Sequence, residues 1–211
     1  MLKLYDSERN TAKVNKTLYS EGIKHLLKVE PCFEKIISKE EIDFFRRPEG
    51  FAGILYLVIE QQVSVQAANS IKNKVKTLMH DVSADRFLEL SIKHLRGAGL
   101  SGPKISYLQG IAKEEKNGNL NYGEIVDMTD EEARSYLCKF KGIGKWTADC
   151  YLMASLDRPD IWPENDIGLQ EGVRRLKDLK TRPTVEDMTS IARKWRPFRS
   201  VAANIIWADY D

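Results

Sequence analysis

Residues 140–151 read FKGIGKWTADCY, and the triplet Gly142-Ile143-Gly144 limits what this chain can fold into more than any other stretch. A helical pattern begins after Thr129 and carries Ala133, Leu137 and Phe140 on one face. A second begins near Lys145, with Ala148, Leu152 and Ser155 on one face. Residues 141–144 are too few for a wandering connection, so the helices must reverse tightly. Glycine tolerates the positive φ that such a reversal needs. Ile143 can then plug the gap between the two helices. The spacing predicts a helix–hairpin–helix.

Periods near 3.6 dominate the rest of the chain, and no run alternates as a half-buried strand would. Several helix starts carry caps. Ser38-Lys39-Glu40-Glu41 fits a capping box leading into Ile42 and Phe45, and Thr129-Asp130-Glu131-Glu132 fits another. Thr184 precedes acidic residues and then Met188, Ile191, Ala192 and Trp195 at helical spacing, and Ser200 is the expected cap of VAANIIWADY. Pro and Gly breaks at 48–50, 97–103, 117–119, 158–160, 162–163 and 182–183 end the intervening segments. About ten helices of ordinary length follow. The expected fold is an all-α, compact bundle in two lobes, with the hairpin beside a cleft.

Composition excludes several function classes. No apolar run approaches a membrane span. The N-terminal MLKLYDSERNTAK lacks the apolar core and cleavage site of a secretory signal, so an intracellular location is expected, in cytoplasm, nucleoid or nucleus. Cys32, Cys138 and Cys150 are odd in number and fit no zinc or iron–sulfur spacing, so buried free thiols are expected. His25, His80 and His94 form no ligand pair, so no side-chain metal cage is expected. Residues 171–199 hold nine Lys/Arg against four Asp/Glu, a local excess of 9 − 4 = +5. That excess fits either a set of solvated helix faces or a phosphate-facing surface.

The hairpin also has a chemistry. Gly142 and Gly144 let a ligand approach the backbone closely. The N–H groups that open the second helix lack intrahelical partners and sit at its positive end, where a phosphate oxygen fits. Gly142, Ile143, Gly144, Lys145 and Thr147 are the candidate phosphate-binding residues. No cofactor is required, though a monovalent or divalent cation could sit on the hairpin carbonyls. The plain alternative is an αα-turn closed by a glycine cap.

The surrounding segment, LCKFKGIGKWTADCYLMA, resembles the hairpin of the HhH-GPD superfamily of DNA base-excision glycosylases. That superfamily joins its G-[IV]-G hairpin to an aspartate some twenty residues on, here Asp166. FAGILYLVIEQQVSVQAANSI (51–71) resembles the family's wedge-bearing segment, and GLSGPKISYLQGIA (99–112) matches another. WPENDIGLQEGVRRL (162–176) resembles the catalytic-aspartate stretch, and WRPFRSVAANIIW (195–207) the C-terminal segment of AlkA-type 3-methyladenine DNA glycosylases. The resemblance runs in order from about residue 30 to 207. It implies a single glycosylase domain over 1–211, in a form of the family without the N-terminal β-rich domain. Its central helical lobe spans about 45–135, and its second lobe spans 1–44 plus 136–211 and holds the hairpin.

What the resemblance implies for each residue can be weighed against the chemistry. Flipping a nucleotide costs a few kcal/mol, and Gln62, with Gln61 as the second candidate, fills the vacated stack as a wedge. The alternative is that these glutamines cap or bridge helices. Trp146 and Trp207 occupy pocket positions, where an indole face gains roughly 0.5–2 kcal/mol from a cationic alkylated purine. Core packing is their alternative, while Trp162 and Trp195 are expected to be core or cleft-wall residues. AlkA-type enzymes carry a pocket tyrosine where this chain has Cys150. Tyr151 is the adjacent candidate, although one residue turns a helical side chain by about 100°. Asp166 is the expected catalytic carboxylate, stabilising the oxocarbenium-like sugar or orienting water. It also fits an N-cap. Glu164 and Asp149 are the other carboxylates nearby, with Asp149 expected to be structural.

The 8-oxoguanine glycosylases carry a lysine nucleophile two residues after the second hairpin glycine. Trp146 stands there, and Lys145 one residue earlier points elsewhere. The implied activity is therefore a monofunctional glycosylase that hydrolyses alkylated purines of the 3-methyladenine type from damaged double-stranded DNA. It would act as a monomer, without an obligate protein partner and without a membrane. The alternatives are an 8-oxoguanine-type glycosylase and a non-catalytic DNA-binding hairpin module.

Overall fold

A computed structural model describes residues 15–38 and 44–210. In chain order these form α1 (Lys16–Val29), α2 (Glu34–Ile37), α3 (Gly50–Glu60), α4 (Val65–Met79), α5 (Ala84–Glu89) and α6 (Ile92–Gly97). Then follow α7 (Gly102–Lys116), α8 (Asp130–Leu137), α9 (Lys145–Ala154), α10 (Ile167–Leu176), α11 (Val185–Ala192) and α12 (Arg199–Tyr210). Short 3-10 turns lie at Pro31–Phe33, Tyr122–Asp127 and Arg193–Trp195, and no strand occurs among the described residues. The all-α expectation holds. No helix among the described residues is long and apolar enough to cross a membrane.

The chain divides into two compact units, residues 47–151 and the described parts of 1–46 with 152–211. The first boundary falls between residues 46 and 47. The second falls inside α9 rather than near 135, so the hairpin belongs to the central unit and not, as expected, to the terminal one. Contacts between segments distant in sequence but inside the central unit explain this placement. Tyr107 packs against Gly142, and Arg134 of α8 pairs with Asp149 of α9 at 2.5 Å. The Gly50 N–H donates to the Tyr151 hydroxyl at 2.8 Å.

Within the central unit, α3 is apolar on every side, with Phe51, Ile54, Leu55, Leu57, Val58 and Ile59 all buried. A helix with no polar face must be surrounded. Phe87 of α5 lies against Phe51, with ring centroids 5.5 Å apart, and α7, with Leu108 and Ile111 buried, packs on α3 from the same unit. Ser64, Ser83 and Ser91 each cap the helix that follows by accepting a backbone N–H. Thr129 forms the predicted capping box with Glu132.

In the terminal unit, Tyr19, Gly22, Ile23 and Leu26 form the buried face of α1. A Cβ on Gly22 would come within 2.7 Å of Val201 on α12. Helix α10 meets α12 as closely: a Cβ on Gly172 would overlap the Ile206 side chain. Trp195 lies between Phe33 and Trp162, with ring centroids 5.2 and 5.3 Å away. Of the two expected roles, core or cleft wall, Trp162 and Trp195 take the core. Thr184 forms a capping box with Asp187.

Two expectations change, and a third lies outside the described residues. Ser200 is not a cap but the second residue of α12. Its buried hydroxyl donates to the Arg158 carbonyl at 2.6 Å and accepts the Ile161 N–H at 2.9 Å. The Ser38 capping box lies on residues 39–43, outside the described residues; Phe45 is described and is not helical. Of the three free cysteines only Cys150 is buried, while Cys32 is half-buried and Cys138 exposed at the end of α8.

Candidate active site

The Gly-Ile-Gly bend is built from its own short-range contacts. Helix α8 stops at Leu137, and the Ile143 N–H donates to the Phe140 carbonyl at 3.0 Å. Only Gly142 takes a positive φ, +102°, and a Cβ there would approach Tyr107 Cβ to 2.5 Å. Gly142 is therefore required twice over, by its backbone and by its neighbour. Gly144 is required by neither. Nothing lies within 4 Å of where its Cβ would be, and its carbonyl accepts the Ala148 N–H that begins the α9 ladder. A glycine in that position brings no capping side chain to the first turn of α9 and leaves its approach open.

Of the expected phosphate-binding set, Gly144 and Lys145 are exposed. Ile143 is buried, as a plug should be, and its N–H is spent on Phe140. Thr147 is 2% exposed, and its hydroxyl accepts the Gln61 amide at 2.9 Å, so its side chain holds the bend rather than a phosphate. Trp146 is half-buried on the first turn of α9, and Cys150 is buried further along.

Tyr151 does not extend a pocket. It is fully buried, its hydroxyl anchors the first turn of α3, and burial pushes its phenol pKa up. The 100° turn from position 150 carries the ring into the core of the central unit. Asp149 is buried against Arg134 and is structural, as expected.

The two glutamines separate. The Gln61 amide donates to the Gly142 carbonyl at 3.1 Å and to Thr147 Oγ1, so it is not a wedge. Gln62 is exposed and has φ +54°, a left-handed conformation that is uncommon outside glycine. It projects at a turn flanked by exposed Val63 and Val65.

In the terminal unit, Asp166 is the N-cap of α10. Its Oδ1 accepts the Leu169 N–H at 2.6 Å and the Trp207 indole N–H at 3.0 Å. The approach to it is tightly turned: the Asp166 N–H reaches the Pro163 carbonyl at 2.9 Å, and Gln170 holds the Glu164 carbonyl at 3.0 Å. Trp162 anchors the start of that turn through its indole N–H to the Met188 carbonyl at 3.2 Å. Trp207 is half-buried, with Phe45 edge-on at 5.2 Å. Two residues of this cluster escape a sequence reading. Phe45 looks like part of a helix face, and its N–H instead donates to Asn204 Oδ1 at 2.8 Å. Asn204 is the signal: an amide within the apolar run VAANIIW must find partners when buried.

The basic stretch is ion-paired in place but not neutralised. Arg174, Arg175 and Arg182 converge on Glu171, Lys177 and Lys194 on Glu30, and Arg196 and Arg199 on Asp160. Each carboxylate serves more than one cation, so every cluster keeps net positive charge. The described residues contain no group of His, Cys, Asp and Glu that could hold a metal ion.

Residues 55–197 match the family model of the HhH-GPD superfamily base excision DNA repair proteins. The chain belongs to that superfamily. It is 27% identical to the alkylbase DNA glycosidase-like protein mag2 of Schizosaccharomyces pombe, over 90% of this chain and 92% of that one. It is 30% identical to DNA-3-methyladenine glycosylase 1 of the same yeast, over 78% of this chain and 76% of that one. The solved structure of the S. pombe 3-methyladenine DNA glycosylase Mag1 in complex with abasic DNA superimposes with a TM-score of 0.81 at 26% identity. That match covers 89% of this chain and 95% of that one. The matched residues include the bend at Gly142–Gly144 and Asp166.

Proposed function

We propose that this HhH-GPD protein is a monofunctional DNA glycosylase that hydrolytically releases alkylated purines, of the 3-methyladenine type, from duplex DNA in base excision repair. The observation that carries the reading is Asp166, a carboxylate fixed by two N–H donors, one from its own helix and one from the indole of Trp207. A simple N-cap needs only the first.

The chemistry follows from a substrate base that is already cationic. As the C1′–N bond breaks, its electron pair neutralises the ring, so no acid need protonate the leaving group, unlike ordinary glycoside hydrolysis. Positive charge builds on the sugar, and the Asp166 carboxylate stabilises it. Water adds at C1′ and yields its proton to Asp166 or to solvent. Exposed Gly144 and Lys145 receive the strand's phosphate at the start of α9. Trp146 stacks on the extruded base, and Gln62 enters the vacated stack. An indole, not an amine, stands at position 146, so no Schiff base is expected there.

A cation at the hairpin is consistent with this bend. The Phe140 carbonyl accepts the Ile143 N–H and the Gly142 carbonyl accepts the Gln61 amide, and a carbonyl oxygen carries two lone pairs with which it can also meet an ion. The protein is expected to act as a monomer without an obligate partner, which light scattering checks.

The test is single-turnover base release from duplexes that each carry one modified base. Asp166→Asn should abolish release and leave binding to lesion DNA within a few-fold. Wild-type turnover by the variant would remove Asp166 from the chemistry. No release from any duplex by the wild-type protein would leave a DNA-docking module. A borohydride-trapped adduct would overturn the monofunctional route.

A further inference from the structure

We propose that Gln61 is a positioning residue that couples the turn carrying Gln62 to the Gly142–Gly144 bend, so that insertion into the base stack and grip on the phosphate act as one rigid piece. This rests on the reading that Gln62 inserts. All the contacts involved lie within the central unit.

Gln61 follows directly after α3. Its Nε2 donates to the Gly142 carbonyl at 3.1 Å, ahead of the bend's second glycine, and to Thr147 Oγ1 at 2.9 Å, behind it. One amide thus spans the bend, and both of its N–H donors are used. The backbone of the same turn is pinned from another side. Lys104 Nζ donates to the Ile59 carbonyl at 2.8 Å and to the Gln61 carbonyl at 2.7 Å. Burial lowers the Lys104 pKa.

The next residue, Gln62, lies one peptide unit, about 3.8 Å, further on. It holds a left-handed conformation at φ +54°, which is costly for a non-glycine residue. Ser64 caps α4 just beyond it. A side chain that pushes into a base stack must be braced against being pushed back. The bracing here ends on the two residues that frame the strand-facing bend. A two-donor amide suits this job: a carboxylate at position 61 would repel the Gly142 carbonyl, and an apolar side chain would leave that carbonyl and the Thr147 hydroxyl without this partner.

The test is a double-mutant cycle on single-turnover base release from a duplex with one alkylated purine, using the full chain and Gln61→Leu, Gln62→Ala and the double variant. Each single change should slow release by about tenfold, the scale of coupling within one hydrogen-bond network. The double variant should be no slower than the slower single variant. If the two losses multiply, or if Gln61→Leu matches wild type, the coupling is wrong while insertion by Gln62 stands. If Gln62→Ala alone matches wild type, the insertion reading falls and the coupling falls with it. Unfolding midpoints are measured for every variant: a merely stabilising Gln61 would lower the midpoint and leave the cycle multiplicative. Should Gln61→Leu fail to fold, Thr147→Val with Gln62→Ala closes the same cycle, because it removes one of the two acceptors at constant volume.

Discussion

Asp166 and Trp207 lie 41 residues apart in the chain and share one hydrogen bond. Trp207→Phe keeps an aromatic ring beside Phe45 but removes the N–H together with one ring of the indole. A hydrogen bond to a charged group contributes roughly 1.5–3 kcal/mol. The expected result is a fall in kcat of about 10- to 100-fold with KM little changed, measured by steady-state base release. An equal loss in KM instead would return Trp207 to the role of a stacking wall. Asp166 itself was legible, because an acid before an apolar helical run reads as a cap and the resemblance adds a second role. The indole N–H was not legible, since nothing in a helical pattern tells which way a ring edge points. Gln61 and Gln62 show the same limit. Side by side in the sequence they are equivalent, and the turn between α3 and α4 sends one inward and the other to solvent.

The bend between α8 and α9 uses its two glycines for different ends. Gly142→Ala must adopt φ near +102° and displace Tyr107, so it should destabilise the fold by about 3 kcal/mol. Gly144→Ala meets open space and should leave the unfolding midpoint nearly unchanged, while it weakens DNA binding by crowding the approach. Thermal unfolding and a DNA titration on both variants separate the two effects; a stable Gly142→Ala would contradict the assignment. Helix starts of this kind read well from sequence when the cap is local. Thr129 and Thr184 did, because a capping box closes within four residues. Ser200 did not, because its partners at Arg158 and Ile161 belong to a distant loop that no local pattern reveals. The end of the hairpin's lobe was missed for the same reason, since long-range contacts such as those of Tyr107 with Gly142 decide it.

At the scale of the whole molecule, ion pairs set the response to acid. Burial alone would raise the pKa of Glu30, but hydrogen bonds from Lys177, Lys194 and the Cys32 thiol outweigh it and lower it to about 2. A carboxylate depressed in the folded state adds stability above its unfolded value, near 4.5, and loses it as pH falls toward 2. Stability should therefore drop between about pH 4.5 and 2, and Glu30→Gln should be less stable at pH 7 and flatter across that window. Chemical denaturation at several pH values checks this; parallel curves for the two proteins would exclude Glu30 as a source of acid sensitivity. A further consequence lies where α10 and α12 touch without a side chain between them. Gly172 stands six residues beyond Asp166, about 9 Å along the helix, and even a methyl group there would act as a shim that levers α12, and the indole it carries, off its carboxylate. The reach of that one hydrogen bond is thus gauged two turns away, at a position that no ligand need ever touch.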